Sequence, residues 1–202
     1  MATFTDVAGS LLAGLRATSP AEAAAVLLGL AYVLLVVRRN RWCWVAGGAS
    51  SLIIGVLSAQ ARLPMQAGLQ LWYVAMAVYG WWQWSKEESG VIRVWPWRHH
   101  LLGIGLSLAI AALVARWLAA ETQAAWPLLD AATTVLSLLA TWLVARQVLE
   151  NWLYWIVIDA VLAFLFAAQG LAFTALLFAV YLVIAFAGYR AWMLQRQRQE
   201  SV

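Results

Sequence analysis

Trp152, Trp155 and Asp159 stand at i, i+3 and i+7 within a strongly apolar stretch. That spacing projects all three from one face of a helix. At 1.5 Å per residue, the carboxyl group lies roughly 10–12 Å further along than the first indole, close to a bilayer midplane. A carboxylate at that depth costs on the order of 2.5–3.5 kcal/mol, so it ordinarily faces a cavity or a partner and is a functional candidate. A second polar face is formed by Gln66, Gln70 and Tyr73 at i, i+4 and i+7, with Trp72 beside them. A glutamine amide offers two N–H donors and a carbonyl acceptor, to a neighbouring helix or to a ligand's carboxamide or hydroxyl. Aromatic faces with one carboxylate suit a small flat organic cation, through stacking and cation–π attraction. Thr133, Thr134 and Ser137 are expected to bond back to their own helix or to pack against a neighbour.

The elements that position these groups are read from composition. Hydrophobic residues make up 65% of the 202-residue chain and charged residues 11%, against about 45–50% and about 25% in soluble domains. The chain is therefore expected to be an all-α polytopic membrane protein, because only helices and closed barrels satisfy every backbone polar group in lipid and no strand-like alternation is present. Seven spans are predicted, at about 21–37, 43–60, 66–84, 100–119, 127–146, 152–168 and 171–190, each long enough for a core of about 30 Å. Ahead of them, Phe4, Val7, Leu11, Leu12 and Leu15 fall on one helical face, which predicts a short interfacial amphipathic helix over residues 1–19. Residues 1–19 lack a basic leader region, so no cleavable signal peptide is expected.

Loops 1–2, 3–4 and 5–6 and the C-terminus hold ten Lys and Arg residues, and the opposite side holds Arg16, Arg62 and Arg116. This imbalance predicts a cytoplasmic C-terminus and an external N-terminus. Trp42, Trp44, Trp81, Trp82, Trp84, Trp95, Trp97 and Trp192 then gather near the inner interface, where an aromatic belt is the ordinary expectation. His99 and His100 are read as interfacial residues. The single cysteine, Cys43, excludes an internal disulfide and makes a thiolate metal site improbable. The net charge of +4 is explained by basic loops and does not point to nucleic acid.

A repeat is visible. Ala77, Gly80 and Trp84 match Ala185, Gly188 and Trp192 at an offset of 108, and Asn40 and Trp44 match Asn151 and Trp155 at 111, which predicts a short indel between them. The chain thus divides into a first three-helix unit with its loop (20–97), a bland linker span (98–120) and a second three-helix unit with its tail (121–202). Two triplets separated by one span face the same way, as in transporters built from parallel repeats such as the SWEET proteins. No G-x-S-x-G, H-E-x-x-H or Walker A motif is present, so neither hydrolytic catalysis nor a nucleotide-driven motor is indicated. A structural or assembly role is the reading that would need neither Asp159 nor Gln70 at midplane depth.

The segments "YGWWQW" (79–84), "RQVLENWLYWIVIDAV" (146–161) and "GYRAW" (188–192) resemble the PnuC family of bacterial vitamin transporters, over spans two to seven. The resemblance implies a SWEET-like fold in three-one-three order, a homotrimer in the bacterial inner membrane, and uptake of nicotinamide riboside by facilitated diffusion. Phosphorylation by a cytoplasmic kinase would then trap the riboside. Thiamine is the alternative substrate, since relatives carry thiamine or riboflavin. The family's Trp-x-x-Trp-x-x-x-Asn motif falls on Trp152, Trp155 and Asp159, with Asp where the motif has Asn, and Gln70 matches a family glutamine. The expected substrate-binding set is Gln66, Gln70, Trp72, Tyr73, Trp44, Asn151, Trp152, Trp155 and Asp159. No catalytic residue, metal ligand or cofactor is expected.

Overall fold

Ser19 accepts a hydrogen bond on its hydroxyl from the Glu22 amide, and the Glu22 carboxylate accepts one from the Ser19 amide. This reciprocal cap, with Pro20 in the first helical position, starts the first helix where the apolar run begins. The computed structural model describes residues 18–62, 64–86, 90–121 and 126–201. Seven helices follow in order: α1 Pro20–Val37, α2 Cys43–Gln60, α3 Pro64–Trp84, α4 Trp97–Glu121, α5 Pro127–Ala145, α6 Asn151–Ala168 and α7 Ala172–Glu200. They coincide with the seven predicted spans to within three residues, except that α7 runs ten residues past its predicted end. The interfacial helix expected over 1–19 lies outside the described residues, except for Thr18 and Ser19 ahead of α1.

Six of these helices are long and apolar enough to cross a membrane. The seventh, α3, has 21 residues but carries Gln66, Gln70, Gln83 and several indole and phenol groups, and falls short in hydropathy. The bundle exposes large apolar side chains and buries several polar ones. Leu27, Leu71, Val78, Leu102, Leu113 and Val183 face outward, while Ser50, Ser51, Gln70, Thr141, Asn151 and Asp159 are buried. This inversion suits a lipid surroundings, where polar groups must find partners within the protein.

Helices α1, α2 and α3 pack in succession, as do α5, α6 and α7, and the two sets meet along α1 with α7 and α3 with α5. Helix α4 packs chiefly on α5. Its contact face carries Gly103, Ser107, Ala111 and Ala115 at four-residue intervals, small side chains that let the helix axes approach.

The two sets repeat one another at a constant offset of 108. Arg39 and Gln147 occupy matching left-handed turns with φ of 54° and 55°, and the Arg39 guanidinium donates to the side-chain amide oxygen of Gln147 at 2.6 Å across that offset. Arg62 and Gly170, at φ 57° and 75°, match in the same way. The Trp44 ring packs where a Cβ on Gly80 would stand, and the Trp152 ring does the same at Gly188. Trp44 therefore corresponds to Trp152, not to Trp155, and no indel interrupts the register. The Asn-Trp resemblance at offset 111 is coincidental: Asn40 caps a turn by accepting from the Trp42 amide, whereas Asn151 donates to the Val148 carbonyl inside a helix start.

At the end of the bundle that holds the Arg39 and Gln147 turns, the loop after α3 is strapped to the second set. Arg93 exchanges backbone hydrogen bonds with Gln147 and Leu149, and the Trp95 amide donates to the Glu150 carboxylate. His100 shares a hydrogen bond with Tyr154 and sits 3.8 Å from the same carboxylate.

Candidate functional site

Four tryptophans close that end from within. Trp44 meets Trp84 edge-on at 5.6 Å, Trp84 lies 6.3 Å from Trp192, and Trp192 meets Trp152 edge-on at 5.5 Å. Trp84 donates its indole N–H to the Ala145 carbonyl, and Trp192 donates to the Val36 carbonyl, each at 3.1 Å. Each bond ties one helix set to the other. Trp44, Trp84 and Trp192 are thus core residues and not part of an interfacial belt, because Gly80 and Gly188 leave room for indoles between the helices. Trp42, Trp82 and Trp97 are exposed, as a belt requires, with Lys86 over Trp82 at 3.5 Å.

Behind this aromatic plug lies a cavity of about 300 Å³, bounded by α1, α2, α3, α5, α6 and α7. That volume is at the small end of the ~300–1,000 Å³ of small-molecule sites. Six of the predicted residues line it: Trp44, Gln70, Tyr73, Trp152, Trp155 and Asp159. Trp155 is half-buried and offers a ring to the cavity. Trp152 is wedged against Gly188, where an added Cβ would fall 2.5 Å from its ring, so it is a wall that has little freedom to move. Asp159 is 4% exposed and Gln70 6%. Among the described residues no hydrogen bond or ion pair reaches either side chain, although both line the cavity.

Three predicted residues stand elsewhere. Gln66 keeps the face of Gln70 but lies one turn nearer the helix start, where it is exposed. Trp72 is 42% exposed, because two residues from Gln70 is about 200° around a helix, on the opposite side. Asn151 is fully buried beside the cavity's closed end and bonds to the Val148 carbonyl at 2.6 Å, so its amide supports the α5–α6 turn. Thr133 and Ser137 bond back to their own helix at Leu129 and Thr134.

The wall also contains Tyr32, Ser51, Thr141, Phe178 and Tyr181, which motif reading passed over. The signal that finds several of them is the repeat in its true register. Ser51 is the counterpart of Asp159, Phe178 of Gln70, and Tyr181 of Tyr73, each at the offset of 108.

An apolar exterior around a central cavity with unpaired polar groups is the plan of a membrane transporter. The chain belongs to the nicotinamide mononucleotide transporter family, whose sequence model matches residues 19–194. It is 28% identical over 179 residues to the riboflavin/roseoflavin transporter RibM of Streptomyces davaonensis, covering 85% of this chain and 84% of that protein. It is 27% identical over 201 residues to the nicotinamide riboside transporter PnuC of Escherichia coli, with the same coverage. A crystal structure of the vitamin B3 transporter PnuC shares the fold, with a TM-score of 0.72 at 20% identity over 95% of this chain and 88% of that one. These relatives are transporters and not enzymes.

Proposed function

We propose that the chain takes up nicotinamide riboside by facilitated diffusion across a bacterial inner membrane, with cytoplasmic phosphorylation keeping the gradient inward. The observation that carries this reading is Asp159. It is buried in the cavity wall with no hydrogen bond or ion pair to a described residue, on the same helix face as Trp155. A pyridinium cation answers both groups: its ring stacks on Trp155 and its charge, or a ribose hydroxyl, faces the carboxylate. Gln70 takes the carboxamide. The name of the Escherichia coli relative supports the same substrate.

The helices form a three-one-three, SWEET-like arrangement, a reading supported by the packing of the two triplets and their 108-residue register. The N-terminus is external and the C-terminus cytoplasmic, on the charge asymmetry of the loops. The tryptophan plug then faces the cytoplasm, and rocking the triplets apart there breaks the Trp84–Ala145 and Trp192–Val36 bonds to release the riboside inward. The family resemblance implies a homotrimer.

Thiamine is the second reading, since its thiazolium is also a cation that Asp159 would hold. Riboflavin, suggested by the RibM relative, is neutral and three-ringed, and fits a cavity of about 300 Å³ with an unpaired acid less well. The test is titration of the detergent-purified protein with all three vitamins, followed by heat or tryptophan fluorescence. Saturable micromolar binding of nicotinamide riboside is expected. Binding of thiamine alone moves the assignment to thiamine, and binding of riboflavin alone overturns the charge argument. Binding of none favours a structural role.

A further inference from the structure

The 108-residue register lets each half of the cavity wall be compared with the other, and one hydroxyl differs. On α3, the Tyr73 hydroxyl lies 2.8 Å from the Ser137 hydroxyl on α5. Ser137 gives its own proton to the Thr134 carbonyl at 2.7 Å, so Tyr73 is the donor. The counterparts are Tyr181 on α7 and Gly29 on α1. The Tyr181 hydroxyl lies 3.0 Å from where a Cβ of residue 29 would stand. The tyrosine thus aims at the same place as Tyr73 does in the other half, but no side chain is there to accept.

Among the described residues no hydrogen bond reaches the Tyr181 hydroxyl, and Tyr181, Gly29 and Asp159 share the cavity wall. Its ring is held by an edge contact with Phe178 at 5.9 Å, and Phe178 stacks on Phe166 at 5.3 Å. A donor that is fixed in place, half-buried and without a protein acceptor needs one from the cavity. We propose that Tyr181 is a specificity-determining residue whose O–H donates to a hydroxyl oxygen of the bound vitamin, and that the missing side chain at Gly29 leaves it free to do so. This inference rests on the cavity being the substrate site. Nicotinamide riboside offers the hydroxyls of its ribose, and thiamine offers that of its hydroxyethyl arm.

The test compares wild type, Tyr181→Phe, Gly29→Ser and the double variant by calorimetric titration. The ligands are nicotinamide riboside and 1-methylnicotinamide, which keeps the cationic ring and lacks the sugar. Tyr181→Phe should weaken riboside binding about tenfold and leave 1-methylnicotinamide within twofold. Gly29→Ser supplies the acceptor that Ser137 provides in the other half. It should therefore weaken the riboside similarly, with the phenol yielding a few tenths of an ångström. The double variant should be no weaker than either single one, since both remove the same bond. Should Gly29→Ser not fold, Tyr181→Phe with the two ligands decides alone. Riboside affinity unchanged in Tyr181→Phe, or an equal loss for both ligands, overturns the proposal. If wild type binds thiamine and not the riboside, the same variants are titrated with thiamine, and the substrate assignment falls while this inference stands or falls on the tyrosine. If wild type binds no vitamin, both fall.

Discussion

Replacing Asp159 separates charge from hydrogen bonding. The side chain is 4% exposed and no described residue bonds to it. Its removal therefore breaks no hydrogen bond or ion pair to a described residue and lifts the burial of an acid that costs on the order of 2.5–3.5 kcal/mol near the centre of a spanning helix. The thermal midpoint of the ligand-free protein in detergent is expected to hold or rise in both Asp159→Ala and Asp159→Asn. Binding should move the other way. A hydrogen bond to a charged group contributes about 1.5–3 kcal/mol, so Asp159→Ala is expected to weaken nicotinamide riboside roughly ten- to 150-fold. The asparagine variant, which has the residue of the family motif, keeps a neutral hydrogen bond and loses the charge. It should fall between wild type and alanine, with thiamine suffering more than the riboside because it lacks a carboxamide to compensate through Gln70. Isothermal titration with melting curves of the same preparations measures both effects. Unchanged affinity in Asp159→Ala together with a lower midpoint would refute the reasoning, since the acid would then be a structural partner and not a ligand group.

Gly80→Ala and Gly188→Ala place a Cβ 2.2 Å from Trp44 and 2.5 Å from Trp152 respectively, so each should destabilise the protein by about 1–3 kcal/mol or more in detergent melts. Gly105→Ala, with nothing within 4 Å, should stabilise it by up to ~1 kcal/mol through helix propensity; equal melting of the three would remove the indole packing from the account. Trp155→Ala should abolish micromolar riboside binding while Trp155→Phe retains part of it, and a full-affinity alanine variant would exclude stacking. Trp72→Ala and Gln66→Ala, both on exposed faces, should titrate like wild type. Trp84→Phe and Trp192→Phe each leave a buried carbonyl without its donor, and in a Cys43→Ala, Ser51→Cys background should raise labelling of the introduced cavity cysteine by a membrane-impermeant thiol reagent applied from the side of the membrane that the tryptophan plug faces.

Helix limits were legible because apolar runs end at residues that cannot continue them. The second predicted span, 43–60, is α2 to the residue, bounded by the left-handed turns at Arg39 and Arg62. Helix α7 outran its prediction because hydropathy marks where lipid ends, not where a helix does. Past Trp192 the residues are good helix formers, and Arg196 pairs with Glu200 one turn on. Periodicity correctly put Trp152, Trp155 and Asp159 on one wall, and Gln70 with Tyr73 on another. Periodicity does not say how far the cavity extends along a face, and Gln66 shares the face of Gln70 without lining the cavity. It also could not separate the indoles that pack on glycines from those that reach the interface, because both kinds sit at the same depth in the sequence.

The repeat explains why frame and specificity can be read separately. Positions that keep the same residue in both halves, Trp44 with Trp152, Gly80 with Gly188 and Trp84 with Trp192, make the plug and its crossed bonds. Matching shapes on both sides suit this plug, since Trp44 and Trp152 each dock on a glycine of their own set and Trp84 and Trp192 each bond to the other set. A ligand without twofold symmetry needs the opposite, a wall whose halves differ. Several differences fall in the cavity wall: Gly47 matches Trp155, Ser51 matches Asp159 and Gln70 matches Phe178, while Gly29 in the wall matches Ser137, which bonds to the wall residue Tyr73. Each swap removes a group from one half and leaves its counterpart without an equal. Together they concentrate the stacking ring, the acid and the unpaired phenol on α6 and α7, with the amide across from them on α3. Under the proposed function, a flat ring that carries a charge at one place and a hydrogen-bonding arm at another meets different groups in its two orientations, so the places where the two halves of the chain cease to match are where the substrate would be selected.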